Sequence, residues 1–127
     1  IELLRASQAG FSFPDRIFES IPVISLNQDE RIMLQGMPKN RSIHFGEAEG
    51  VIISKNRNGI FLTNDSRVVR HCRDNDIKVL DLRDILLILS NRKALTGEEM
   101  KDLIRDIEDM DNTIIKEKSS ILDRFYL

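Results

Sequence analysis

The segment from Ile60 to Leu80 limits the possible folds of this chain more than any other. Two short apolar runs, Ile60 to Thr63 and Ile77 to Leu80, flank a helical stretch carrying Val68, Val69 and Cys72. Asn64 and Asp65 turn the chain into that helix, and Asn75 and Asp76 close it. A hairpin joins antiparallel strands through a tight turn, whereas parallel strands need a longer crossover, usually helical and right-handed. The spacing therefore predicts two parallel strands, the first of them buried, and hence an α/β sheet.

Helical spacing accounts for most of the remainder. Ile1 to Ala9 has the apolar pattern of a short helix stopped by Gly10, and Pro14 suits the first position of another, with Ile17, Phe18 and Ile21 on its buried stripe and its end near Pro22. Val23 to Leu26 reads as a short strand or a packed connector. A third helix is expected over Asp29 to Gln35, followed by a loop marked by Gly36, Pro38, Asn40 and Ser42. Ala48, Val51, Ile52 and Ile53 predict a helix from about Gly46 to Asn56, with Gly59 as its stop. Leu82 to Asn91 is apolar almost all round, which predicts deep packing. Thr96 and Glu99 have the capping-box spacing and open a helix with Met100, Leu103, Ile104 and Ile107 on one face. A last helix is expected from about Asn112, carrying Ile114, Ile115, Ile121, Leu122 and Phe125. No repeat or linker divides the chain, so residues 1–127 read as one domain.

Composition narrows the class. With 127 residues, 41% hydrophobic and 31% charged, the chain can bury a core without disulfides or a structural metal. It shows no secretory leader pattern, and its longest apolar run, Ile85 to Leu89, is far below the roughly 20 residues of a membrane span. A soluble, cytoplasmic protein with no membrane partner is expected. The single cysteine, Cys72, excludes an internal disulfide and a cysteine-based zinc site, and is expected to be buried and inert. Nineteen basic against 21 acidic residues leave a formal charge of −2, so any nucleic-acid contact must use a local patch. His44 and His71 lack nucleophile partners, and no glycine-rich loop ends in Lys-Ser or Lys-Thr, so no organic cofactor is expected.

Ligands of open parallel sheets collect beyond the carboxyl ends of the strands, the position of Thr63, Asn64 and Asp65. Asp65 reads equally as a helix N-cap and as a ligand, and the roles are compatible. Glu47 and Glu49 suit the positive end of the preceding helix; two residues apart, they point roughly 200° from each other, so one ligand is the safer expectation. Arg67, Arg70 and His71 share one side of the helix after Asp65, with Arg73 beyond, and Lys55 and Arg57 extend a patch able to bind phosphates. A solvated face is the plainer reading, because Asp74 and Asp76 are on the same helix. No aromatic residues interleave with these cations to stack bases.

The run Gly46-Glu47-Ala48-Glu49, the apolar helix, the strand Ile60-Phe61-Leu62-Thr63, then Asn64-Asp65 and a basic-flanked helix resemble the second half of a PIN domain. The continuation through Ile77 to Leu80, the helix to Leu89 and the turn from Lys93 to Leu95 into Met100 and Leu103 are similar to small prokaryotic and archaeal PIN-like proteins. The likeness covers Gly46 to about Phe125 and is loose before it, around Phe13-Pro14, Ile17, Phe18 and Glu19. It implies a three-layer α/β/α sandwich around a central parallel sheet. It also implies an endoribonuclease in which carboxylates bind Mg²⁺ or Mn²⁺, activating water and neutralising charge on the scissile phosphate. On the matching positions the ligands would be Glu47 and Asp65, with Glu49 a third, Thr63 holding a water or a carboxylate, and Asn64 orienting the loop.

Two departures bear on activity. The family's first strand ends in an aspartate central to the metal site, and this sequence is expected to begin just after it; the acid near the end of the second helix falls at Ser20, with Glu19 one place early. The alternative expectation is therefore a degenerate PIN-like module that binds RNA or a protein. A third is an unrelated doubly wound domain whose acids are caps and solvated charges. The apolar C-terminal residues, Tyr126 included, are expected to be mostly core, with some left for a homodimer seam or for an antitoxin-like partner, as the likeness to toxin ribonucleases implies.

Overall fold

The computed structural model of this protein describes residues 8–10, 13–39 and 43–125. Seven helices and two strands follow in the order α1 (Phe13–Ser20), α2 (Gln28–Gly36), α3 (Phe45–Asn56), β1 (Ile60–Leu62), α4 (Ser66–Asp74), β2 (Lys78–Leu80), α5 (Leu82–Asn91), α6 (Gly97–Asp111) and α7 (Lys118–Leu122), with a 3₁₀ turn at Asp123–Phe125. The expected helix over Ile1 to Ala9 lies almost wholly outside the described residues.

β1 and β2 pair in parallel, Ile60 with Lys78, Phe61 with Val79 and Leu62 with Leu80, and α4 is the crossover between them. The chain is thus mixed α/β, mostly helical, with a two-stranded sheet among the described residues. Among the described residues, one face of that sheet is covered. Phe61 and Val79 pack on a cluster formed by Ile43, Ala48, Val51, Val68, Cys72 and Ile77, whereas Ile60 and Leu62 are 56% and 59% exposed. The expectation of a buried first strand is corrected here: alternate side chains of a strand point to opposite faces, and the face of Ile60 and Leu62 has no layer over it among the described residues.

Three helices end in the same way, and none uses glycine to do so. Asn58, Asp76 and Lys93 take left-handed φ values of 52°, 56° and 52°, and the next residue's N–H reaches back to the carbonyl five positions earlier. These bonds run from Gly59 to Ser54 (2.8 Å), Ile77 to Cys72 (2.8 Å) and Ala94 to Leu89 (3.1 Å). This is the Schellman closure, with Asn, Asp and Lys where glycine is usual. The stop after α3 is therefore Asn58, and Gly59 only closes the ring. At α4 the same ring seats Ile77 in the core and launches β2.

A second cluster joins α5, α6 and α7 through Leu86, Met100, Ile104, Ile115 and Ile121. The Thr96–Glu99 capping box opens α6, and similar boxes open α2 at Asn27–Glu30 and α5 at Asp81–Asp84. Other expectations fail for identifiable reasons. Residues 22–27 form no regular element and pair with no strand among the described residues, and Val23 and Ile24 are 77% and 55% exposed, so these two are neither in a strand nor packed. Ile21 lies beyond the end of α1 and is exposed rather than on its stripe. α5 buries one face only, Leu86 being 1% and Ile88 38% exposed. The last helix does not start near Asn112, because Asn112 and Glu117 both take left-handed conformations, leaving residues 113–116 as a connector and α7 only five residues long.

The strongest polar contact links α2 to the end of α3. Glu30 is fully buried, yet its carboxylate accepts from Asn27 N (2.8 Å), Asn56 Nδ2 (3.0 Å), Arg57 Nε (2.7 Å) and Arg57 Nη2 (2.9 Å). Arg57 Nη2 also donates to Ser25 O at 3.0 Å. The Arg57 side chain foremost, against the opposing effect of burial, holds the Glu30 carboxyl down to about 2.

Two outcomes are expected. Between pH 4.5 and about 2 the unfolded chain carries the Glu30 proton and the folded chain does not, so this stabilisation is complete above pH 4.5 and lost as pH falls through about 2. Glu30→Gln should lower the urea midpoint at neutral pH and flatten its decline across that acid window. In the second cluster, Leu86→Ala should cost about 2–5 kcal/mol in urea unfolding. Ile88→Ala, on the open side of α5, should cost no more than about 1 kcal/mol; equal losses would show that α5 is buried all round.

Candidate nucleic-acid interface

The carboxyl ends of both strands lead straight into helices. Thr63 extends the ladder by one bond, its N–H donating to Leu80 O (3.1 Å), while its Oγ1 accepts from Asp65 N (3.2 Å). Asp65 is the N-cap of α4: Oδ1 accepts from Arg67 N at 2.8 Å. The Arg67 guanidinium then folds back over the same carboxylate, Nε to Oδ1 at 3.2 Å and Nη2 to Oδ2 at 2.8 Å. Chiefly through that guanidinium, then through the Arg67 backbone N–H, the Asp65 carboxyl is held down to about 2. Arg67 is pushed up in turn, mainly by Asp65 and to a lesser degree by the charge of Glu47.

The expected acids are therefore only partly brought together. Glu47 and Asp65 come from different elements and both act on Arg67. Glu47 also closes the start of α3, Oε2 accepting from His44 N at 3.0 Å. Glu49 points elsewhere, into an apolar groove of about 760 Å³ with Leu34, Met37, Ile43 and Ala48 in its lining. The divergence of the two glutamates is the one that helical geometry demands. As arranged, these residues do not cradle an ion: both Asp65 oxygens are engaged by Arg67, and among the described residues no three His, Cys, Asp or Glu side chains gather to hold one.

The cations converge better than the acids. A cleft of about 540 Å³ opens between α4, the start of α5 and the 113–116 connector, with Asn64 and Ser66 at its strand end. Arg70, Arg73, Arg83 and Lys116 line it, beside Asp74 and Asp81. The side chains of Arg70, Arg73 and Lys116 make no hydrogen bond or ion pair among the described residues. Arg83 donates through Nη2 to Glu117 Oε2 (3.0 Å) and Ser120 Oγ (2.9 Å). Asp81 Oδ1 is engaged as the cap of α5, accepting from Asp84 N at 2.8 Å.

Of the basic residues in the expected phosphate-binding patch, Arg70 and Arg73 line this cleft. Arg67 is spent on Asp65, half-buried His71 is outside the lining, and exposed Lys55 is in the last turn of α3. Arg57 is turned inward to Glu30. Arg83 and Lys116 did not register in the sequence, although Arg83 carried a signal: a cation in the first turn of a helix opposes the helix dipole and calls for a reason. Cys72 is fully buried and burial pushes its thiol up, as expected of an inert core residue.

Replacing Arg67 by Gln should raise the Asp65 carboxyl from about 2 toward 3.8 while leaving it lower than that, because the backbone N–H of Arg67 remains. Carboxyl carbon chemical shifts followed through an acid titration would read this directly. No protein-family model, curated protein or solved structure matches the chain.

Proposed function

We propose that this protein is a PIN-like domain that binds RNA through the cleft at the carboxyl ends of β1 and β2, the two strands being part of the central parallel sheet of a three-layer sandwich. The observation that carries the reading is the convergence of Arg70, Arg73, Arg83 and Lys116 on that cleft, three of them without a carboxylate partner among the described residues. In a chain with a net charge of −2, unpaired cations gathered at one place provide the local field that the whole molecule lacks. Their place is also where open parallel sheets bind ligands.

The contact would be electrostatic and short. Three free cations can neutralise about three phosphates, which gives single-stranded RNA a log affinity against log salt slope of roughly −2. Fluorescence anisotropy with a short single-stranded RNA should show that slope. Arg70→Gln with Arg73→Gln should weaken binding at low salt and make the slope shallower by roughly 1.4. Binding and slope both unaltered in the double variant would take RNA off this cleft.

A second reading, metal-dependent endoribonuclease, is favoured by Glu47 and Asp65 acting on one cation from two elements. Under that reading Arg67 stands where Mg²⁺ or Mn²⁺ would bind, and hard carboxylate oxygens suit either ion. RNA cleavage with Mn²⁺ that is lost in EDTA and in Asp65→Asn would select it. Binding without cleavage under all these conditions selects the non-catalytic module.

A further inference from the structure

We infer that the cleft takes a phosphate monoester at the end of a nucleic-acid chain rather than the diesters along it. This rests on the RNA reading and goes one step beyond it, to the chemical group recognised.

Charge is the first ground. Arg70, Arg73, Arg83 and Lys116 stand against Asp74 and Asp81, so the lining has a surplus of two positive charges. A phosphate monoester carries about −1.5 to −2 near neutral pH, whereas a backbone diester carries a single charge. Glu117 takes up part of the Arg83 charge at Nη2, which leaves Arg70, Arg73 and Lys116 as the cations offered to the ligand.

Shape is the second. At about 540 Å³ the cleft falls in the roughly 300–1,000 Å³ range of small-ligand sites. One wall is the 113–116 connector, which is held at its C-terminal end. Glu108 accepts from Ile115 N (3.3 Å) and from Lys118 Nζ (2.7 Å), and Arg83 clasps Glu117 and Ser120. Three cations without a side-chain partner among the described residues, gathered against one held wall, suit a single doubly charged group.

The test uses one short single-stranded RNA in three forms, with a 5′-phosphate, a 3′-phosphate or hydroxyls at both ends, each competing with a labelled RNA for the full chain. At least one phosphorylated form should compete roughly tenfold better than the form without phosphate, and which form does so identifies the end recognised. That preference should disappear in Arg73→Gln and in Lys116→Gln, both exposed positions whose replacement leaves the core untouched. Equal competition by all three forms overturns the inference and leaves the RNA reading standing. No competition by any form overturns both. A preference that survives in both variants puts the terminal phosphate elsewhere and also overturns the inference.

Discussion

The buried carboxylate of Glu30 fixes the geometry from which the rest of the N-terminal half is built. Its two oxygens take donors from the cap of its own helix and from Asn56 and Arg57, the last residue of α3 and the residue that caps it. One residue later Asn58 turns left-handed, Gly59 closes the helix, and β1 begins. The direction of β1, and with it the place where Thr63 and Asp65 emerge, therefore follows from where the end of α3 is held. A buried charge pair is often no more stabilising than an apolar substitute, but losing one partner strands the other in a medium that cannot solvate it. The bidentate fork of Arg57 restricts the ways α2 and α3 can meet, which is orientation as much as stability.

The same logic sorts the arginines around the strand ends. Arg67 and Arg83 are both in the first turns of their helices, where the dipole disfavours a cation, and each has an acidic partner, Asp65 and Glu117. Arg70 and Arg73 come later in α4, where the dipole no longer opposes them, and have no such partner among the described residues. Cations in unfavourable positions are thus neutralised within the fold, and those in tolerable positions keep their charge, which gives an acidic chain a local basic cleft.

The parts of the fold written in local signals were legible in the sequence. The crossover from Ile60 to Leu80, the limits of α2 and α3 and the Thr96–Glu99 box follow from periodicity and capping chemistry. The spacing of Asn27 and Glu30 held the same capping signal, whereas the bond from Glu30 to Arg57 spans 27 positions and no local pattern encodes it. Burial was the less legible quantity. Apolar runs such as Ile60 to Leu62 and Ile85 to Leu89 say that a segment is able to be buried on all sides, but how many sides are covered depends on which neighbours arrive. For the same reason Asp65 was readable as a cap, its partnership with Arg67 was not, and Lys116 became part of a site only because Asn112 and Glu117 bend the connector beside α4.

Asp65 also shows why capping and ligation compete here. A carboxylate that caps a helix through Oδ1 still has Oδ2 to offer, so the N-cap role alone leaves room for an ion. Arg67 removes that room by bonding both oxygens, and Glu47 adds a weaker attraction to Arg67 from α3. Two acids and one guanidinium leave a surplus of one negative charge near Asp65, beside a cleft whose lining has a surplus of two positive charges. The strand ends therefore carry a negative group at Asp65 beside a positive one at Arg70 and Arg73, and the proposed RNA contact uses the second.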